Sequence, residues 1–275
     1  MSTPIIAAAR ELARRADRLR FKEPVRYVYN PLVYAWQPHE AYLARYAASH
    51  KRLVLLGMNP GPWGMAQTGV PFGEVACVRD WLGIDGEVGQ PRRGHERLTI
   101  QGFACARSEV SGKRLWGLMQ AHYGSPVAFS RDAFVSNYCP LLFLDAAGRN
   151  ITPDKIHRDD RQPLYALCDR FLAIVVGTLR PEWLVGIGAF AGRRAAVVGG
   201  FGAAVRGIPR TGTASGPSAY SRTPVLGRSG PAAAPAALAL PLQIISILHP
   251  SPASPRANRD WAAQAEGALT ARGIW

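Results

Sequence analysis

The stretch Arg52-Leu53-Val54-Leu55-Leu56-Gly57-Met58-Asn59-Pro60-Gly61-Pro62-Trp63-Gly64 turns from an apolar run directly into a loop of glycines, prolines and one amide. Four consecutive aliphatic residues behind Lys51 and Arg52 read as a parallel strand covered by helices on both faces. Pro60 and Pro62 lack N–H donors and stiffen the loop, while Gly57, Gly61 and Gly64 allow close approaches that a Cβ would block. In open α/β sheets ligands bind beyond the carboxyl ends of the strands, which makes Asn59 a candidate functional residue. The competing reading is a turn whose amide satisfies its own backbone.

The same grammar recurs along the chain. Ala133-Phe134-Val135-Ser136 runs into Asn137-Tyr138-Cys139-Pro140, Glu182 to Ile187 reads as a third strand, and Leu242 to Leu248 as a fourth that ends at His249-Pro250-Ser251-Pro252. Helical spacing separates them: Leu164, Leu167, Cys168, Phe171, Leu172, Val175 and Val176 form one stripe, and a further helix is expected from about Ala189 to Val198. Upstream, Thr3 and Pro4 suit the cap and first residue of a helix bearing Ile5, Ala9, Leu12 and Ala16, and a short helix is expected from about Glu40 to Ser49. Residues 21–38 read as an extended aromatic loop, Val75, Val78 and Leu82 as a helix, and residues 83–113 as loops rich in Gly, Arg and Pro. Asn258 is placed to cap a last helix bearing Trp261, Ala265 and Leu269. Strands alternating with helices over 275 residues predict one α/β domain, a three-layer αβα sandwich around a mainly parallel four-stranded sheet. A low-complexity insertion rich in Gly, Ala, Pro and Ser interrupts it at about 199–241.

Composition narrows the partners. A net charge of +14, from 33 basic and 19 acidic residues, points to a polyanion, with nucleic acid ahead of a membrane surface. Cys77, Cys105, Cys139 and Cys168 stand singly, without the paired spacing of a zinc site or redox dithiol, and read as thiols in a reducing compartment. No stretch is long and apolar enough for a membrane span, so the cytoplasm is the expected location.

Parallel strands would bring Asn59, Asn137 and His249 to one edge of the sheet, where sites of this architecture lie. Around these residues the chain resembles a known family. Gly57 to Glu74 is similar to the first motif of the single-strand-selective monofunctional uracil-DNA glycosylases. His249-Pro250-Ser251-Pro252 with Ala257, Asn258 and Trp261 is similar to their second, while Asn137 to Phe143 resembles their base-reading segment and Asn150-Ile151-Thr152-Pro153 also fits. The resemblance implies an enzyme that removes uracil, and 5-hydroxymethyluracil, from single- and double-stranded DNA as a monomer without metal or cofactor. It implies that Asn59 positions the attacking water, His249 stabilises the departing base, Phe72 stacks on it and Asn137 bonds its pairing edge, with Met58 and Gly61 shaping the pocket. Pro250, Ser251, Pro252, Ala253, Arg256 and Asn258 would meet the DNA. The family commonly carries Arg directly after this motif; Ala253 stands here, and Arg256 is the expected substitute.

Other readings compete. Gly186-x-Gly188-x-x-x-Gly192 after a strand could cradle a dinucleotide, although its spacing is one residue long and Arg206 stands where an NAD-binding acid is expected, which leaves NADP. A basic DNA-binding module without catalysis would explain the charge but not the three polar residues. An iron–sulfur uracil glycosylase would need clustered cysteines.

Overall fold

The computed structural model describes residues 3–206 and 242–275. Along the chain the strands are β1 (Tyr27–Tyr29), β2 (Leu53–Gly57), β3 (Ala133–Asn137), β4 (Leu142–Leu144), β5 (Asn150–Ile151), β6 (Trp183–Ile187) and β7 (Gln243–Ile247). The helices are α1 (Pro4–Ala16), α2 (Pro31–Tyr34), α3 (Trp36–Tyr46), α4 (Met65–Thr68), α5 (Val110–Tyr123), α6 (Pro126–Asp132), α7 (Arg158–Leu179), α8 (Ala189–Arg206) and α9 (Trp261–Thr270).

The four expected strands form one parallel sheet in the order β3-β2-β6-β7. From β2 the chain first moves to one side, to β3, and then crosses back to β6 and β7 on the other. Right-handed crossovers running in opposite directions put their helices on opposite faces, and the reversal leaves a crevice beyond the carboxyl ends of β2 and β6. Covered on both faces, β2 and β3 are buried at every position, which is why Leu53–Leu56 carries no polar alternation. Helix α1 packs on α7 and α7 on α8, while α5 packs on α6 and α9. Arg52 and Asp132 form a two-pronged ion pair at 2.7 and 2.8 Å beside the starts of β2 and β3, and Arg52 also holds the Ile274 carbonyl at 2.8 Å.

Several boundaries differ from the sequence expectations for identifiable reasons. Thr3 does cap α1, its hydroxyl accepting the Ile6 N–H at 3.3 Å. Residues 21–38 are less extended than expected: β1 and α2 lie there, and α3 begins at Trp36 rather than near Glu40. Pro31 and Pro38 fall in first helical turns, where no intrahelical N–H is missed. The expected helix carrying Val75, Val78 and Leu82 is a wide π turn at Cys77–Trp81. Helix α5 begins inside the stretch read as loops, and β4 and β5 join β1 in a small antiparallel sheet. The last helix is capped by Asp260, whose Oδ1 accepts the Ala263 N–H at 3.2 Å, so Asn258 is not its cap. Helix α8 continues through Arg206, past the expected start of the low-complexity insertion; the rest of that insertion, 207–241, lies outside the described residues.

Candidate active site

Sheet register sets the positions of the three polar residues. Gly57 pairs with Asn137 and Ile187 with Ile247, so Asn59 and His249 each lie two residues past a strand end at the same edge as Asn137. A cleft of about 480 Å³ opens there, lined by Asn59, Phe72, Glu109, Asn137, His249 and Pro252 among others. Met58, Gly61 and Ser251 also contribute to its wall. Pro250, Ala253, Arg256 and Asn258 do not, and the last three are exposed beside it.

Asn59 reaches beyond its own turn. Its Nδ2 donates to the Leu141 carbonyl at 3.2 Å, and to that of Pro60 at 3.5 Å, which commits the donor end of the amide and leaves Oδ1 as the acceptor. Asn137 is 8% exposed, its Nδ2 donates to Met65 Sδ at 3.2 Å, and its Oδ1 has no partner among the described residues. A buried polar atom without a partner is costly, and this unmatched carbonyl at the wall of a cleft is free to accept from a bound donor.

Phe72 belongs to the main core cluster and lines the cleft as well, so packing and contact with a bound ring are compatible uses. Its φ of 53° is in the left-handed region that a bulky residue rarely adopts. Two contacts hold it there: Trp116 Nε1 donates to its carbonyl at 3.1 Å, and Gly112 lies so close that a Cβ would fall 2.2 Å from that oxygen. Gly57 does the same for the functional face. A Cβ there would lie 2.3 Å from Asn137 Oδ1 and 2.4 Å from Phe72 Cε2, so the amide and the ring meet only above a glycine.

The His249 ring lies 6.1 Å from that of Phe72, with the planes inclined by 38°. Gly188, at φ 91°, passes under it, where a Cβ would be 3.1 Å from His249 Cβ. Burial lowers the imidazole from its ordinary 6.5 to about 4, so it is neutral at physiological pH and can offer one N–H. The loop after it is held from two sides. Arg114 on α5 donates to the Pro250 carbonyl at 3.0 Å and to Asn258 Oδ1 at 2.9 Å, Asn258 Nδ2 reaches the Pro252 carbonyl at 2.9 Å, and Trp261 Nε1 donates to Leu248 O at 2.7 Å. Asn258 thus braces the loop. Removing Arg114 as Arg114→Ala should cost about tenfold in kcat/KM on a damaged oligonucleotide, the scale of one hydrogen bond to a charged group, with melting little changed. A loss below twofold would show that the loop holds its shape without this clamp.

Sequence reasoning missed Glu109 and Ser108, and read Arg114 as one of several basic residues available to phosphates rather than as a clamp on this loop. Glu109 and Ser108 line the cleft from the start of α5, and nothing in their local pattern announces it. The glycines of the dinucleotide-like segment have a packing explanation: a Cβ on Gly186 would lie 2.3 Å from the Gly192 nitrogen, and one on Gly192 would strike Ser246 Oγ. They bring α8 against β6 and β7.

A parallel sandwich with an amide, a second amide and a neutral histidine at its strand ends, closed by one aromatic ring, has the architecture of the uracil-DNA glycosylase superfamily. No family model matches the chain. The single-strand selective monofunctional uracil-DNA glycosylase of Rattus norvegicus is 41% identical over 258 residues, covering 94% of this chain and 80% of the relative. That of Bos taurus is 41% identical over 257 residues, with 94% and 81% covered. The crystal structure of wild-type Pedobacter heparinus SMUG2 superposes with a TM-score of 0.60 at 16% identity, over 97% of this chain and 96% of that one, and supports the fold. The chain belongs to the single-strand-selective monofunctional uracil-DNA glycosylase family.

Proposed function

We propose that the protein is a monofunctional DNA glycosylase that takes an extruded uracil, or 5-hydroxymethyluracil, into the cleft and hydrolyses its glycosidic bond. The convergence of Asn59, Phe72, Asn137 and His249 on one cleft carries this reading. A base inside a duplex is out of reach of such groups, so the nucleotide must be flipped or already single-stranded. The ring of Phe72 then offers a stacking face. Asn137 Oδ1 accepts from the N3–H of uracil and its Nδ2 turns to O4; cytosine presents the opposite pattern at both positions, and a buried mismatch of this kind discriminates strongly.

As the bond breaks, negative charge builds on the base. His249, neutral and largely dehydrated, donates to a base oxygen and stabilises that charge without first having to lose a proton. Asn59 Oδ1 accepts a hydrogen from the attacking water and aims its oxygen at C1′. The excess of basic residues draws the phosphate backbone to the surface. The exposure of Ala253 and Arg256 past the second motif supports their meeting the DNA, with Arg256 taking the part usually given to a wedge arginine. The enzyme works as a cytoplasmic monomer without cofactor.

Oligonucleotides carrying uracil, 5-hydroxymethyluracil, hypoxanthine or xanthine test the reading: release of the first two is expected, and release of none would overturn it. No lysine lines the cleft among the described residues, so water is the nucleophile. The product strand should therefore stay intact until alkali is added, and borohydride should trap no covalent complex. A trapped complex would transfer the chemistry to an amine.

A further inference from the structure

Hydrolysis leaves the attacking water with one proton too many, and the amide of Asn59 is too weak a base to take it. Among the described residues lining the cleft, Glu109 and His249 are the only titratable side chains. His249 is occupied with the base. Resting on the glycosylase reading above, we propose that Glu109 is the proton acceptor for the attacking water. The water oxygen bonds to C1′ while the C1′–N1 bond breaks. The bonding pair leaves with the base as an anion against His249, and the proton of the water passes to the Glu109 carboxylate, which becomes a carboxylic acid and later returns it to solvent.

The geometry of Glu109 is built for the loop that carries Asn59. Its carboxylate lies directly beneath that loop: a Cβ on Gly61 would be 2.1 Å from Oε2, and one on Gly64 would be 2.8 Å from it. The Trp63 N–H faces the carboxylate, and Oε2 has no hydrogen-bond partner among the described residues. The two glycines therefore leave room for a buried, unpartnered acidic oxygen two residues along the chain from Asn59. No such space would be needed if Glu109 only capped α5, and its side chain makes no capping bond there.

The charged surroundings suit a base that must work near neutral pH. Burial raises the acid, the Trp63 N–H opposes that, and the nearby Glu74 carboxylate raises it further, to about 7 from an ordinary 4.5. Glu74 comes from the segment after Phe72 and is held by the Ser108 hydroxyl at 3.0 Å and the Cys77 N–H at 2.9 Å. Arg107 lies 3.9 Å over the Trp63 ring, and His249, which lines the same cleft, is neutral. A group poised at the working pH is the most effective general base. Because its folded value is raised, the carboxyl is an inactive acid below about pH 7 and an active base above it.

The test is the single-turnover rate of uracil release against pH, for the unaltered full chain and for Glu109→Gln. The unaltered protein should lose about tenfold per pH unit below about pH 7 and reach a plateau above it, since titration of His249 falls outside that window. Glu109→Gln should be slower on the plateau by about 100-fold or more and show no acid limb, with melting temperature and affinity for abasic product unchanged. A carboxyl that only braced the loop would leave the limb in place in the variant. Glu109→Gln within about threefold of the unaltered rate, or with the limb retained, overturns the proposal. Should the variant not fold, the unaltered profile decides: a flat rate from about pH 5.5 to 8.5 overturns it. If the unaltered protein releases no uracil, the glycosylase reading fails and this one with it; an active protein with an insensitive variant refutes Glu109 alone.

Discussion

His249→Ala lowers uracil release by about 100- to 1,000-fold under single turnover, while the variant folds and still binds abasic DNA; this is the scale on which one preorganised donor to a developing anion acts. The size follows from where His249 sits. Burial keeps it neutral, and among the described residues lining the cleft the only other titratable side chain is Glu109. On the proposed role, removing this buried donor exposes the cost of placing a negative base in a poorly hydrated slot. Water entering the space left by the imidazole would recover part of the loss but would have to be ordered anew in each turnover. The sign of the pH effect is also fixed. With a folded value depressed to about 4, the imidazole does not gain charge until well below neutrality, so the unaltered enzyme should show no loss from this group down to about pH 5. A His249→Ala protein within tenfold of the unaltered rate would remove the imidazole from the chemistry.

Gly57→Ala is expected to be as damaging although it removes nothing. The new methyl would lie 2.3 Å from Asn137 Oδ1, and 2.4 and 2.8 Å from two carbons of the Phe72 ring. Neither neighbour can yield. Asn137 is the last residue of β3, fixed by its pairing with Gly57 itself, and Phe72 is pinned through its carbonyl by Trp116 in a backbone conformation already under strain. Displacing both the ring and the amide by about 1 Å misplaces the base at its face and its edge, and each such error costs on the order of 100-fold. A loss of about 1,000-fold or more in kcat/KM on a uracil oligonucleotide is expected, with overpacking lowering stability by about 1–3 kcal/mol. A rate within tenfold of the unaltered protein would mean that the slot is roomier than the contacts indicate.

Much of this arrangement is legible in the sequence, and the reasons are physical. Leu53–Leu56 announces its strand because a twice-covered strand needs no polar positions, and Asn59 and His249 stand out because each interrupts a stiff loop after such a run. Convergence of the strand ends follows from parallel pairing. Helix α5 escapes because Gly112 and Gly117 weaken its helical signal and two basic residues follow Gly112. Its glycine at 112 is there for the carbonyl of Phe72, a contact that no local pattern encodes. Glu109 escapes for the same reason: its significance depends on glycines of a distant loop. At the last helix, Asn258 and Asp260 are both good caps, and Arg114 decides between them by holding Asn258 elsewhere. The strands β4 and β5 are too short to show any alternation.

One rod meets three walls of the cleft. Helix α5 bears Glu109 at its tip, lies against the carbonyl of Phe72 through Gly112 and Trp116, and grips the loop beyond His249 through Arg114. A shift of that loop would therefore be felt, through a single axle, at the Phe72 ring and at the buried acid. The loop after His249, the aromatic floor and the acid are thus braced by one element rather than by three.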